Sequence, residues 1–102
     1  MSETDRRICH VFIRGRVQGV GYRAFVEREA LRRGVEGWAR NRADGSVEAV
    51  FAGVPSVLSE MIDTCREGPR FARVEAIDQR DGTDADMALR LPGDVFSVLP
   101  TV

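Results

Sequence analysis

Hydrophobic and polar side chains alternate near the start of the chain, and this pattern predicts a strand. Residues 7–14 are rich in β-branched and aromatic side chains. Their two-residue period places Cys9, Val11 and Ile13 on one face and the residues between them on the other. Short runs bounded by glycine, proline or aspartate predict further strands over residues 36–42, 46–52, 71–80 and 94–99.

Two longer segments follow the three- and four-residue spacing of an amphipathic helix. The first covers residues 22–33, ends before Gly34 and has an apolar stripe of Tyr22, Phe25, Ala30 and Leu31. The second covers residues 55–67, with a stripe of Val57, Leu58, Met61, Ile62 and Cys65. Ser56 is a candidate N-cap for the second helix because its hydroxyl can accept a hydrogen bond from a free helix amide.

The elements follow one another in the order β-α-β-β-α-β, with an irregular end. Asp44-Gly45 separates the second and third strands and is a strong hairpin signal. This order predicts an α+β fold with the split βαβ arrangement, in which two helices lie on one face of a four-stranded antiparallel sheet. In the strand 71–80, Val74 and Ile77 are expected on opposite faces, and the polar residues 81–93 are expected to form a loop.

Length and composition fit one globular domain. The 102 residues are 43% hydrophobic and 30% charged, and we expect a single domain over 1–102 with residues 1–5 as a disordered tail. The two cysteines, Cys9 and Cys65, are expected to be free thiols. The sequence contains no apolar run long enough to span a bilayer and no secretory signal pattern, so we expect a cytoplasmic protein that does not bind membranes.

Charge is distributed unevenly along the chain. Residues 6–42 contain ten arginines and three acids, a net charge of +7, whereas residues 43–102 contain five arginines and eleven acids, a net charge of −6. The whole chain has a net charge of −1, which argues against bulk attraction to nucleic acid. A basic first half suits an anionic small ligand or a phosphate-bearing partner.

The strongest candidate for chemistry is the glycine-rich segment that leads into the first helix. Residues 15–21 contain three glycines, and bent loops and helix N-termini leave backbone N–H groups free to bind phosphate oxygens. Arg23, in the first helical turn, can add a planar, bidentate contact. The alternative is that the glycines only make a tight turn and that Arg23 is solvated.

The second candidate is Asn41, which lies near the end of the second strand, just before the hairpin turn. Its neutral amide can both donate to and accept from a water molecule, and so can orient that molecule without a shifted pKa. The alternative is that Asn41 caps the turn through its own backbone.

These two segments together resemble the paired signature of the acylphosphatase family. The first reads Gly-Arg-Val-Gln-Gly-Val-Gly-Tyr-Arg over 15–23, and the second reads Gly-Trp-Ala-Arg-Asn-Arg-Ala-Asp-Gly-Ser-Val-Glu over 37–48. Both occur in the family's order and at its separation. The similarity extends from about residue 7 to residue 80. Tyr22 stands where phenylalanine is more usual in the family.

The resemblance implies the ferredoxin-like sandwich and an enzyme that hydrolyses acyl phosphates to carboxylate and inorganic phosphate. It implies that Arg23 binds the phosphate and that Asn41 orients the attacking water. The segment whose amides hold the phosphate comprises Arg16, Val17, Gln18, Gly19, Val20, Gly21 and Tyr22. The resemblance also implies a small-molecule substrate, with no metal and no cofactor, and we expect a monomer.

Two other functions remain open at this point. A split βαβ sandwich also serves as an RNA-recognition module, in which Phe12, Trp38 and His10 would form an exposed stacking surface. The second alternative is a phosphate-binding or regulatory domain without a useful catalytic rate. His10 itself is interpreted as an ordinary exposed or half-buried histidine with no part in catalysis.

Overall fold

The structure is a computed structural model that describes residues 5–102. Of the expected disordered tail 1–5, residues 1–4 lie outside the described residues, and Asp5 is an exposed residue before the first strand. The elements in chain order are β1 (Arg7–Arg16), α1 (Tyr22–Arg33), β2 (Glu36–Asn41), β3 (Val47–Gly53), α2 (Pro55–Glu67), β4 (Arg73–Asp81), α3 (Asp84–Met87) and β5 (Phe96–Val98).

The strands form one sheet in the order β4-β1-β3-β2-β5, with α1 and α2 packed on one face. Among β1 to β4, each pair of neighbouring strands (β4 with β1, β1 with β3, and β3 with β2) is antiparallel, which confirms the α+β ferredoxin-like sandwich. The expectation of a four-stranded, purely antiparallel sheet is wrong. After β4 the chain crosses to the opposite edge, where β5 pairs in parallel with β2, so that Gly37 lies opposite Phe96 and Ala39 opposite Val98.

The main core lies between the sheet and the two long helices. Cys9, Val11 and Ile13 point into it, as the alternation in the first strand predicts. Both cysteines are free and buried, which confirms the prediction of unpaired thiols. The bounds of α1 and α2 are those that the helical spacing predicts. The main burial of apolar surface therefore follows the sequence pattern closely.

A smaller apolar cluster covers the opposite face of the sheet. It consists of Trp38, Val50, Ala52, Met87 and Leu99, with Ile8 packed against it. Met87 belongs to the short helix α3, which lies within residues 81–93, so the prediction of a loop there is wrong for those four residues. A capping box begins this helix: Thr83 Oγ1 accepts from the Asp86 amide, and Asp86 Oδ2 accepts from the Thr83 amide.

Three local expectations are wrong, each for an identifiable reason. An extra residue in β4 shifts its register against β1, so Val74 and Ile77 both pack on the core. Leu31 is 50% exposed because α1 buries the Val26 side of the helix instead. Val54, not Ser56, is the N-cap of α2, since Pro55 occupies the first helical position.

Candidate active site

A cavity of about 340 Å³ lies where the β1–α1 loop meets the end of β2. Arg23 and Asn41, the two residues to which the sequence assigns the chemistry, both line it. The remaining lining residues are Val17, Gln18, Gly19, Gly21, Tyr22, Ala24, Glu27 and Val98. The fold thus brings two segments that are separated in the chain to a single concave surface.

Two of the predicted loop residues do not line the cavity. Arg16 continues strand β1 and pairs with Arg73 of β4, so the loop begins two residues later than its glycine pattern predicts. Val20 is half-buried and packs against the main core. Three lining residues were not predicted. Ala24 and Glu27 follow Arg23 along α1, and Val98 belongs to β5.

The loop conformation leaves the N-terminus of α1 open. Gly19 and Gly21 have φ angles of 74° and 78°, in the left-handed region where side chains are strained. A Cβ at either position would meet no atom within 4 Å, so it is backbone conformation that requires glycine there, not crowding. Gly21 is the N-cap, and no side chain within residues 5–102 caps the first amides of the helix. Uncapped amides at a helix start carry partial positive charge and can bind an anion.

Tyr22 anchors the loop to α2. Its ring is 1% exposed, and its hydroxyl donates a 2.7 Å hydrogen bond to the carbonyl of Cys65. That carbonyl lies at the end of α2, and the residue that would normally donate to it is Pro69, which has no N–H. Burial, together with the contact with Cys65, raises the pKa of the Tyr22 hydroxyl well above its usual value. The phenol therefore stays protonated and fixes the start of α1.

Asn41 is the last residue of β2 and pairs with Val47 across the hairpin. Its side-chain oxygen, Oδ1, is buried and accepts no hydrogen bond within the described chain. In the turn it is Asp44 that acts as the side-chain acceptor, for both the amide and the hydroxyl of Ser46, at 2.9 and 2.6 Å. The interpretation of Asn41 as the residue that caps this turn is therefore not supported. A buried acceptor without a donor is costly, and Asn41 is one of the residues that line the cavity.

Charged side chains on the other face of β2 hold the strand at Asn41. Arg40 and Arg42 flank this residue, and both donate to Glu48 Oε1, at 2.9 and 3.1 Å. Glu48 is 4% exposed. Burial alone would raise the pKa of its carboxyl group, but hydrogen bonds from Arg40 and His10 outweigh burial and hold that pKa below its usual value. Glu48 therefore remains ionised and holds Arg40 and Arg42, the two neighbours of Asn41, in place.

The lone histidine belongs to this buried cluster and not to the cavity. The expectation that His10 is exposed or half-buried is wrong, since it is 4% exposed. Its Nε2 lies 2.7 Å from Glu48 Oε2, and its Nδ1 lies 3.2 Å from an Arg80 nitrogen and 3.6 Å from Asp86 Oδ2. Because arginine can only donate, Nδ1 accepts from Arg80, and Nε2 donates to Glu48.

The Glu48 cluster predicts a specific loss of stability in acid. The ionised Glu48 carboxylate stabilises the folded state fully above the ordinary glutamate pKa of about 4.3. This stabilisation is lost as the pH falls through the lower pKa that Glu48 has in the folded state. Urea unfolding of the wild type and of Glu48→Gln from pH 7 to pH 3 measures it. We expect the wild type to be more stable at pH 7 by about 1.5–3 kcal/mol, the value of one charge-assisted hydrogen bond, and this difference to shrink below pH 4.3.

An exposed glutamate provides the control for this prediction. Glu75 lies on the solvent side of β4, so Glu75→Gln should follow the wild type across the whole pH range. A difference between wild type and Glu48→Gln that stays constant from pH 7 to pH 3 would contradict the assignment of an ionised Glu48.

The exposed aromatic surface expected of an RNA-recognition module is not formed. Trp38 is 1% exposed, and its indole nitrogen donates a 2.7 Å hydrogen bond to the carbonyl of Asp86. His10 is buried beside it, which leaves only Phe12 partly accessible among the three rings. Across residues 5–102, no group of three or more His, Cys, Asp or Glu side chains is arranged to bind a metal ion. No helix in this range is long and apolar enough to cross a membrane.

Comparisons with known proteins agree with these features. The sequence model of the acylphosphatase family matches residues 9–88. The chain is 54% identical to an acylphosphatase of Bradyrhizobium diazoefficiens over 98 residues, which cover 96% of this chain and 99% of the relative. It is 55% identical to an acylphosphatase of Nitrobacter winogradskyi over 95 residues, 93% of this chain and 96% of the relative. The crystal structure of an acylphosphatase from Bacillus subtilis superposes with a TM-score of 0.78 at 33% identity, covering 90% of this chain and 97% of that one.

Proposed function

Because the chain belongs to the acylphosphatase family and is an acyl phosphate hydrolase, we propose that it works by direct attack of water on a phosphate held by Arg23 and the β1–α1 loop. The observation that carries this proposal is the shared cavity: it is lined by Arg23, by the uncapped start of α1 and by Asn41, whose buried Oδ1 has no partner within the described residues. Each component has a distinct task in the reaction.

Phosphate binding falls to the main-chain amides of the β1–α1 loop and the start of α1, and to the Arg23 guanidinium. The amides that begin α1 have no capping side chain and no acidic residue in the first turn to compete for them. A phosphate dianion can satisfy several of these donors at once, and the planar arginine fork adds paired, charge-assisted bonds. As negative charge shifts among the phosphoryl oxygens in the transition state, the loop amides and Arg23 stabilise that charge without having to rearrange.

Asn41 orients the water. Its buried Oδ1 can accept one hydrogen bond from a water molecule in the cavity, which leaves a lone pair of that water free to point at phosphorus. A new bond forms between the water oxygen and phosphorus. The bond from phosphorus to the acyl oxygen breaks, and its electron pair leaves with the carboxylate. The proton of the water passes to a phosphate oxygen, so no side chain acts as general base.

The chemistry of the substrate explains why so few groups suffice. An acyl phosphate is a mixed anhydride whose leaving group is a stabilised carboxylate, so neither a strong nucleophile nor a metal ion is required. Holding the phosphoryl group, balancing its charge and placing water in line with the leaving oxygen are positioning and electrostatic tasks. We accordingly propose a hydrolysis that needs neither metal nor cofactor.

Hydrolysis of an aryl acyl phosphate in ¹⁸O-labelled water tests this mechanism. Attack at phosphorus puts the label into inorganic phosphate and leaves the carboxylate unlabelled, and a chelator should not change the rate. Label in the carboxylate would overturn the proposal, because it would mean attack at the carbonyl carbon. Phosphate binding without any turnover would favour the regulatory alternative instead.

The expectations about the protein's surroundings also remain proposals. We propose a monomer that acts in the cytoplasm on a small-molecule acyl phosphate and binds neither nucleic acid nor membranes. The burial of Trp38 and His10 supports the proposal that the protein does not bind nucleic acid, because it removes the aromatic surface on which bases would stack. Sedimentation at micromolar concentration tests the monomeric state, and retention on single-stranded RNA at moderate salt tests the absence of nucleic-acid binding.

A further inference from the structure

The side chain of Gln18 is held in a way that phosphate binding by the loop does not require. Its Nε2 donates two hydrogen bonds, one of 2.8 Å to the carbonyl of Arg42 and one of 2.9 Å to the carbonyl of Ser46. Gln18 lies in the β1–α1 loop, whereas both acceptors lie in the hairpin that follows Asn41. The side chain therefore bridges the two halves of the cavity.

The two acceptors are the carbonyls that close the hairpin turn. The Arg42 amide donates to the Ser46 carbonyl at 2.9 Å, and the Gly45 amide donates to the Arg42 carbonyl at 3.1 Å. Each carbonyl has two lone pairs, so each can also accept from Gln18. Because both partners are acceptors, the amide nitrogen of Gln18 must face them, which fixes the orientation of the whole group. A primary amide supplies the two N–H donors from one atom.

We infer that Gln18 is a positioning residue that fixes the distance between the phosphate-binding loop and Asn41. This inference rests on the proposed function, since it concerns how the water held by Asn41 is aligned with the bound phosphate. Arg42 follows Asn41 directly, so tethering its carbonyl limits the movement of Asn41 relative to the loop. Misplacement of a reacting group by about 1 Å can lower a rate by about 10²-fold.

Gln18→Met tests this role because methionine has a similar length and no donor. We expect kcat to fall about tenfold or more, within the range that misplacement allows, while the Ki for inorganic phosphate changes by less than about threefold, because Arg23 and the loop amides remain. A variant with reduced phosphate affinity and unchanged kcat would overturn the inference. Thermal melting of the variant establishes that it is folded.

A double-mutant cycle with Asn41→Ala separates positioning from a general structural effect. If Gln18 acts through Asn41, Gln18→Met should have little further effect on kcat in the Asn41→Ala background. Multiplication of the two effects would overturn the inference and leave the proposed function intact. Failure of the wild type to hydrolyse an aryl acyl phosphate would instead refute the proposed function.

Gln18→Glu gives an independent readout should the methionine variant not fold. An ionised carboxylate faces the two carbonyls without a donor, whereas a protonated carboxyl can donate to one of them. We therefore expect kcat of Gln18→Glu, relative to the wild type at the same pH, to rise as the pH is lowered from 8 to 5. A constant ratio across this range would contradict the inference.

Discussion

Replacing Arg23 with alanine should abolish most of the activity and weaken inorganic phosphate as an inhibitor. The change removes the only arginine among the residues that line the cavity and, with it, charge-assisted bonds worth about 1.5–3 kcal/mol or more. That range corresponds to at least about a 10- to 150-fold loss of phosphate affinity. kcat/KM should fall by more, because in the proposed mechanism the same guanidinium also stabilises the transition state. Steady-state kinetics with competitive inhibition by phosphate measures both.

Two further variants test whether activity depends on the planar geometry and the position of the Arg23 side chain as well as on its charge. Arg23→Lys keeps a positive charge but cannot reproduce the planar fork, so it should recover only a small part of the activity. Arg28→Ala removes an exposed arginine from the same helix, outside the cavity, and should behave like the wild type. If Arg28→Ala were as damaging as Arg23→Ala, the overall charge of α1, and not a specific contact, would be responsible.

Replacing Asn41 with alanine should lower kcat by about 10²-fold and leave phosphate inhibition nearly unchanged. In the proposed mechanism, Asn41 contributes its amide to the water, while the opposite side of the cavity holds the phosphate. The two constants therefore separate the roles. A change in kcat reports the alignment of the water, and a change in Ki reports phosphate binding by Arg23 and the loop amides. Stability should not fall sharply, because the lost Oδ1 has no partner within the described residues. A variant that lost phosphate affinity and kept its turnover would reverse the roles assigned to Asn41 and Arg23.

The parts of this fold that rest on local sequence could be predicted well. Helix α1 begins after a left-handed glycine and ends at Gly34, and its bounds follow from the spacing of apolar residues and from the glycines themselves. The hairpin between β2 and β3 follows from Asp44-Gly45. The expectation that Arg23 and Asn41 act at one site depends on the resemblance to the acylphosphatase family. Residue type and spacing alone do not favour a catalytic role for either residue over a role in a simple turn.

The parts that depend on distant contacts could not be predicted in this way. Nothing near residues 96–98 indicates that β5 will pair in parallel with β2, so the position of Val98 in the cavity wall has no local signal. His10 looks like a residue on a solvent-facing strand until α3 covers that face and Glu48 provides a buried partner. The extra residue in β4 likewise depends on the register with β1, which the alternation within residues 71–80 does not contain.

A crystal structure of the protein with bound inorganic phosphate tests the central claim most directly. The account predicts one phosphate in the cavity, contacted by the Arg23 guanidinium and by amides of the β1–α1 loop, with a water molecule between phosphorus and the Asn41 side chain. A phosphate bound elsewhere, or one whose water lies beyond the reach of Asn41, would contradict it.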